Sequence, residues 1–113
     1  MSTDDFEHRF RVALHDTDAA GVLFFAHLFR HAHDAYEAWM ARLGFPLDAM
    51  LRDATLKLPI VHAEADYRRP MRHGDRITTR LQVADLGDSA FSIAYQFHAD
   101  TGELAASAKT VHV

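Results

Sequence analysis

The chain has 113 residues, no cysteine, and a formal net charge of -4 from 12 Lys and Arg against 16 Asp and Glu. This length gives room for a single domain, residues 1–113, around one hydrophobic core, and the lack of thiols excludes a disulfide framework, a thiolate metal cluster and a cysteine nucleophile. The acidic balance disfavours nucleic-acid binding, and the polar, acidic start of the chain and the lack of a long apolar run point to a cytoplasmic protein without a membrane segment.

Residues 6–14 alternate, with Phe6, Phe10, Val12 and Leu14 on one side and Glu7, Arg9 and Arg11 on the other, which predicts a half-buried strand. The run from Asp16 to Gly21 is rich in residues that bond their own backbone or tolerate unusual dihedrals, and predicts a turn. Over residues 25–43 the apolar positions Leu28, Ala32, Ala35, Tyr36, Trp39, Met40 and Leu43 recur at helical steps, while Arg30, His33, Asp34, Glu37 and Arg42 take the other positions. Gly44 and Pro46 end that helix.

A less regular stretch, 47–55, leads to four predicted strands. Residues 58–69 put Val61, Ala63, Ala65 and Tyr67 on one face, and residues 76–86 do the same with Ile77, Thr79, Leu81 and Val83. Phe91, Ile93, Tyr95 and Phe97 mark the next strand, and residues 104–113 form the last. Gly87-Asp88 and Asp100-Thr101-Gly102 are hairpin signals, so the last three strands form an antiparallel meander. The expected class is α+β: one long helix wrapped by a five-stranded, mainly antiparallel sheet. Two open sheet edges predict pairing with a second copy.

There is no nucleophile-elbow serine, P-loop, dinucleotide fingerprint or zinc-protease helix, which leaves carboxylates and histidines. Asp16 and Asp18 precede the helix, where unpaired N–H groups and the positive end of the helix dipole could polarise a carbonyl. One aspartate could equally cap the helix or the turn; the structural role goes to Asp16 and the catalytic one to Asp18, nearer the helix. Gly21 permits an unusual backbone angle and close approach of a ligand, and Phe24 and Phe25 suit either a core or a flat apolar slot. His27, His31 and Asp34 share one helical face, but in neither the zincin nor the di-iron spacing, so no metal is expected. His62 shares a strand face with Glu64 and Asp66, as a solvated polar position or as lining of a crevice. Arg68, Arg69, Arg72, Arg76 and Arg80, with His73, either form a cationic patch for a small polyphosphate or solvate strand edges and a turn.

Three segments, HDTDAAGV at 15–22, FFAH at 24–27 and YRRPMRHGD at 67–75, carry a resemblance to the hot-dog-fold thioesterases of the 4-hydroxybenzoyl-CoA thioesterase type, spanning about residues 8–113. With HDAYE and PIVHAEADYRRPM added, the chain is most similar to the branch that hydrolyses 1,4-dihydroxy-2-naphthoyl-CoA in quinone biosynthesis. The resemblance implies a dimer with active sites at the subunit interface, often a tetramer. It makes Asp18 the essential carboxylate and the backbone amide of Phe25 the group that polarises the carbonyl. The short-chain, Tol-Pal-associated branch usually has histidine where Phe25 stands, so an aromatic acyl group is implied here. His27 replaces a common asparagine, which bears on substrate positioning, and the chain ends sooner than many relatives, without a C-terminal segment that could touch the CoA or the pocket rim.

The expected reaction is hydrolysis of an acyl-CoA thioester to the acid and free CoA, with no cofactor. Asp18 acts as nucleophile or as general base, and Arg68, Arg69 and Arg72 meet CoA phosphates. The alternatives are an acyl-CoA binding module without turnover and a thioesterase for short aliphatic acyl groups. An aspartate-nucleophile phosphatase fits poorly, because Ala20 stands where that motif needs Thr or Val.

Overall fold

A computed structural model describes residues 5–44 and 60–113. Strand β1 (Asp5–Arg11) leads through a 3-10 turn (Leu14–Asp16) to helix α1 (His27–Arg42). Four strands follow: β2 (Ile60–Tyr67), β3 (Arg76–Leu86), β4 (Phe91–Ala99) and β5 (Leu104–His112). They form one five-stranded sheet in the order β1-β3-β4-β5-β2, with every neighbouring pair antiparallel. The strand, helix, four-strand order and the terminal meander agree with the sequence reading.

The register explains where the core sits. His8, Thr79, Phe97, Ala106 and Tyr67 form one cross-strand row, and Phe6, Leu81, Tyr95, Ala108 and Ala65 form another. Because side chains alternate across a pleated sheet, both rows face the same side, and α1 covers that side over β1 and β3. The helix buries Leu28, Ala32, Ala35, Tyr36 and Trp39 there, with Trp39 stacked on Phe6 at 6.3 Å between ring centroids. Burial of such a stripe stabilises by about 25 cal/mol per Å² of apolar surface, which is why a helix without strong caps persists.

Four details differ from the sequence expectation. The helix starts at His27 rather than residue 25, since Phe24 and Phe25 form a turn and no side chain caps the first helical residues. Leu14 is 74% exposed, because β1 ends at Arg11 and the chain coils away into the 3-10 turn. His31 belongs to the buried stripe, whereas Leu43, expected there, is 38% exposed. The β2 face that was expected to be covered carries exposed Val61, Ala63 and Tyr67, because α1 lies over the opposite half of the sheet. Gly44 has φ 90°, the left-handed conformation expected just after a helix. Pro46, the stretch 47–55 and the start of the second predicted strand lie outside the described residues.

Candidate active site

The segment between β1 and α1 doubles back on itself. Thr17 bridges to Leu23, Asp18 N–H donates to Val22 O at 2.9 Å, and Gly21 N–H donates to Asp18 O at 3.0 Å. Gly21 closes this loop with φ 77°, and a Cβ placed there would meet nothing within 4 Å. Its glycine is therefore required by backbone angle and not by crowding. The loop is stitched to the segment after β2 through Leu23 N–H to Met71 O at 2.7 Å and His73 N–H to Gly21 O at 3.2 Å.

The two aspartates have opposite surroundings. Asp16 is fully buried, and its Oδ2 accepts the Ala13 N–H at 2.9 Å and lies 3.0 Å from His31 Nε2, while Oδ1 accepts from the Arg30 guanidinium. Burial opposes ionisation of Asp16, but the Ala13 amide, His31 and Arg30 outweigh it and hold the carboxyl below its ordinary range. Burial lowers the His31 pKa, an effect only partly offset by Asp16, and because an ionised carboxylate can only accept, a hydrogen bond between His31 and Asp16 needs the ring proton on Nε2. Asp18 is exposed: its Oδ1 accepts the N–H groups of Ala20 at 2.9 Å and Val22 at 3.3 Å. Among the described residues Oδ2 of Asp18 has no partner.

A cleft of about 430 Å³ opens beside Asp18, lined also by Val22, Leu23, Phe24, Phe25, Tyr67, Arg68, Arg69, Pro70 and Met71. Phe24 and Phe25 are 41% and 61% exposed with their rings 4.7 Å apart, which offers apolar surface to a ligand instead of to the core. The turn they form is held by Phe24 N–H to Asp16 O at 2.9 Å, by His27 N–H to Phe24 O at 2.9 Å, and by the Tyr67 hydroxyl, which donates to Phe25 O. Among the described residues nothing accepts the N–H of Phe25. It is one of the unpaired donors expected ahead of a helix.

Of the residues singled out from sequence, Asp18, Phe24, Phe25, Arg68 and Arg69 meet at this cleft. Gly21, His27, His62 and Arg72 do not line it within one chain. Gly21 shapes the loop, and His27 packs edge-on to Phe24 at 5.8 Å. His62 pairs with Glu64 at 3.1 Å on exposed β2, and the Arg72 N–H is held by Asp75 Oδ2 at 2.9 Å. The arginine cluster also divides. Arg69 Nε pairs with Glu103 at 2.9 Å and Arg80 with Glu7 at 3.3 Å, while Arg76 lies with Arg9 and Arg11 at another shallow cavity. Arg68 is the cleft arginine with no ion pair among the described residues. His31 and Asp34, grouped with His27 from sequence, are engaged instead with Asp16 and Arg30.

Sequence reasoning missed Tyr67, Pro70, Met71 and Leu23 as cleft lining, and the Arg30–His31 partnership with Asp16. A signal for the last was present: a histidine sat among Leu28, Ala32 and Ala35 in the apolar stripe, and a buried imidazole needs a partner.

Residues 12–113 match the Thioesterase-like superfamily, and the chain belongs to it. A 1,4-dihydroxy-2-naphthoyl-CoA hydrolase of Rippkaea orientalis is 46% identical over 104 residues, covering 90% of this chain and 75% of that protein. Its counterpart in Synechococcus elongatus is 41% identical over 110 residues, covering 96% and 80%. Among solved structures, a 1,4-dihydroxy-2-naphthoyl-CoA thioesterase from Synechocystis superposes with a TM-score of 0.91 at 32% identity, covering 96% of this chain and 80% of that one.

Proposed function

We propose that this protein is an acyl-CoA thioesterase that hydrolyses an aromatic acyl-CoA, with 1,4-dihydroxy-2-naphthoyl-CoA as the substrate. The observation that carries the reading is that one apolar cleft is lined by both Asp18 and Phe25, whose Oδ2 and N–H respectively have no partner among the described residues. The two relatives described above bear that activity in their names.

The chemistry follows from this pairing. The thioester oxygen accepts a hydrogen bond from the Phe25 amide, and the developing oxyanion is held by a donor of a kind worth about 3 kcal/mol. Asp18 Oδ2 either takes the proton from a water that attacks the carbonyl carbon, or attacks that carbon itself to give a mixed anhydride that water then opens. In both routes the C–S bond breaks, the thiolate of CoA leaves and takes up a proton, and the acid is released. Phe24 and Phe25 provide flat apolar surface for an aryl group, and Arg68 supplies a forked donor for a CoA phosphate.

The oligomer is part of the same reading. Among the described residues strand β2 is an edge without an outer neighbour, and its exposed Val61 and Tyr67 need cover, so a second copy pairs along it to give a homodimer, and two dimers form a tetramer. The residues that lie off the cleft within one chain, His62 and Arg72 among them, then have a partner's cleft to serve. No helix among the described residues is long and apolar enough to cross a membrane, and the cysteine-free chain suits the cytoplasm.

The test is thiol release from a panel of aryl and aliphatic CoA thioesters. Asp18→Asn is expected to lower kcat by about 10²–10⁴-fold with substrate binding kept. Tight binding without thiol release in the unmodified protein supports a binding module instead, and a preference for short aliphatic thioesters removes the aromatic assignment.

A further inference from the structure

We propose that Asp16 and His31 are a positioning pair: the bond from His31 Nε2–H to the Asp16 carboxylate keeps Asp18 in register with the Phe25 amide, and turnover depends on it. The inference rests on the reading of the cleft given above. Neither side chain lines that cleft, so any effect on catalysis has to pass through the residues that do.

The geometry concentrates on Asp16. Its side chain joins the 3-10 turn, through Ala13 N–H at 2.9 Å, to α1, through His31 at 3.0 Å and Arg30. Its main-chain carbonyl accepts the Phe24 N–H at 2.9 Å, which fixes the turn that presents the Phe25 amide. Asp18 follows two residues later, beyond Thr17, whose hydroxyl donates to Leu14 O at 2.7 Å and whose backbone bridges to Leu23. One buried residue therefore sets the position of the carboxylate segment and of the amide turn relative to the helix. The His31 ring has no freedom to follow a displaced loop, because it stacks on Phe10 with centroids 3.7 Å apart and planes 9° from parallel.

The identity of the residue points the same way. A polar ring within an apolar helix stripe carries a desolvation cost that leucine would avoid, and polar pairs in such places often fix a unique geometry. Arg30 is half-exposed, also reaches Asp34 at 3.5 Å and bonds the other carboxylate oxygen, Oδ1, so it does not replace the bond of His31 at Oδ2.

The experiment compares His31→Leu, which fills the space without a donor, with His31→Gln, which restores an N–H. His31→Leu is expected to lower kcat by about 10-fold to 100-fold with KM within about twofold, as for a misplacement of about 1 Å. His31→Gln is expected to recover most of that loss, and Asp16→Asn, which keeps shape while removing charge, serves if the leucine variant does not fold. In an Asp18→Asn background, His31→Leu is expected to add nothing, because it acts through Asp18. Unchanged kcat in His31→Leu, or a loss that multiplies onto that of Asp18→Asn, overturns the pair. Full activity of Asp18→Asn alone overturns the reading of the cleft, and with it the inference.

Discussion

The loop that joins β1 to α1 carries a closed polar clamp and borders an open cleft; one aspartate serves each. Asp16 is buried and its bonds go to protein donors, whereas Asp18 lines the cleft, spends one oxygen on its own loop and keeps the other without a partner among the described residues. Two positions along the chain separate a group that is held from a group that is available. Residue type alone does not assign such roles; solvation and the supply of donors do, since a buried carboxylate is costly unless it is hydrogen-bonded.

The contrast is tested most severely by truncating each carboxylate. Asp16→Ala leaves the buried Ala13 amide and His31 without their acceptor and is expected to cost about 2–4 kcal/mol of stability by denaturant unfolding. Asp18→Ala, on an exposed loop, is expected to cost no more than about 1 kcal/mol in the same measurement while removing activity. Equal losses at the two positions would sink the distinction.

Acidity gives a second way to separate the clamp from the rest. His31 has a lowered pKa in the fold, so as pH falls below the ordinary imidazole value of about 6.5 the unfolded chain takes up a proton that the folded chain refuses. Stability therefore declines with falling pH in the window just below that value. The lowered Asp16 pKa acts at more acid pH, where its contribution is lost as the carboxylate protonates. The charged groups around His31 are Asp16, Arg30 and Asp34, with the Phe10 ring on its face. Thermal melts from neutral pH to pH of about 5 should show a steeper fall in Tm for the unmodified protein than for His31→Leu.

On the cleft side, the two arginines sharpen the comparison more gently. Arg68 has no ion pair among the described residues and Arg69 is committed to Glu103, so Arg68→Ala is expected to raise KM by about fivefold, for about 1 kcal/mol of a charge-assisted contact, and Arg69→Ala by less. Raised salt should shrink the Arg68 effect. The smallest change expected is at Tyr36, whose buried hydroxyl lacks a partner among the described residues. Tyr36→Phe should leave activity intact and shift stability by between zero and about +1 kcal/mol, read as a rise in denaturant midpoint.

Much of this molecule is legible in its amino-acid sequence. Period-two runs gave the strands, a three- and four-residue rhythm gave α1, and Gly-Asp and Asp-Thr-Gly gave the hairpins, because these signals are local and the side-chain geometry that writes them is local too. The HDTDAAGV run pointed to the family that the relatives bear out, and of the candidate site residues Asp18, Phe24, Phe25, Arg68 and Arg69 line one cleft while Gly21, His27, His62 and Arg72 do not.

What tertiary structure alone decided were relations between distant segments. The strand order sends β2 to the far edge and leaves Val61, Ala63 and Tyr67 of its apolar face exposed, and the pairing of residues 21–23 with 71–73 adds Tyr67, Pro70 and Met71 to the cleft. The meeting of Asp16 with His31 and the scattering of the arginines into separate surroundings have the same origin. Chain periodicity records which way a side chain faces, but the partner it meets depends on packing across the sheet, where residues far apart in sequence come within hydrogen-bond distance.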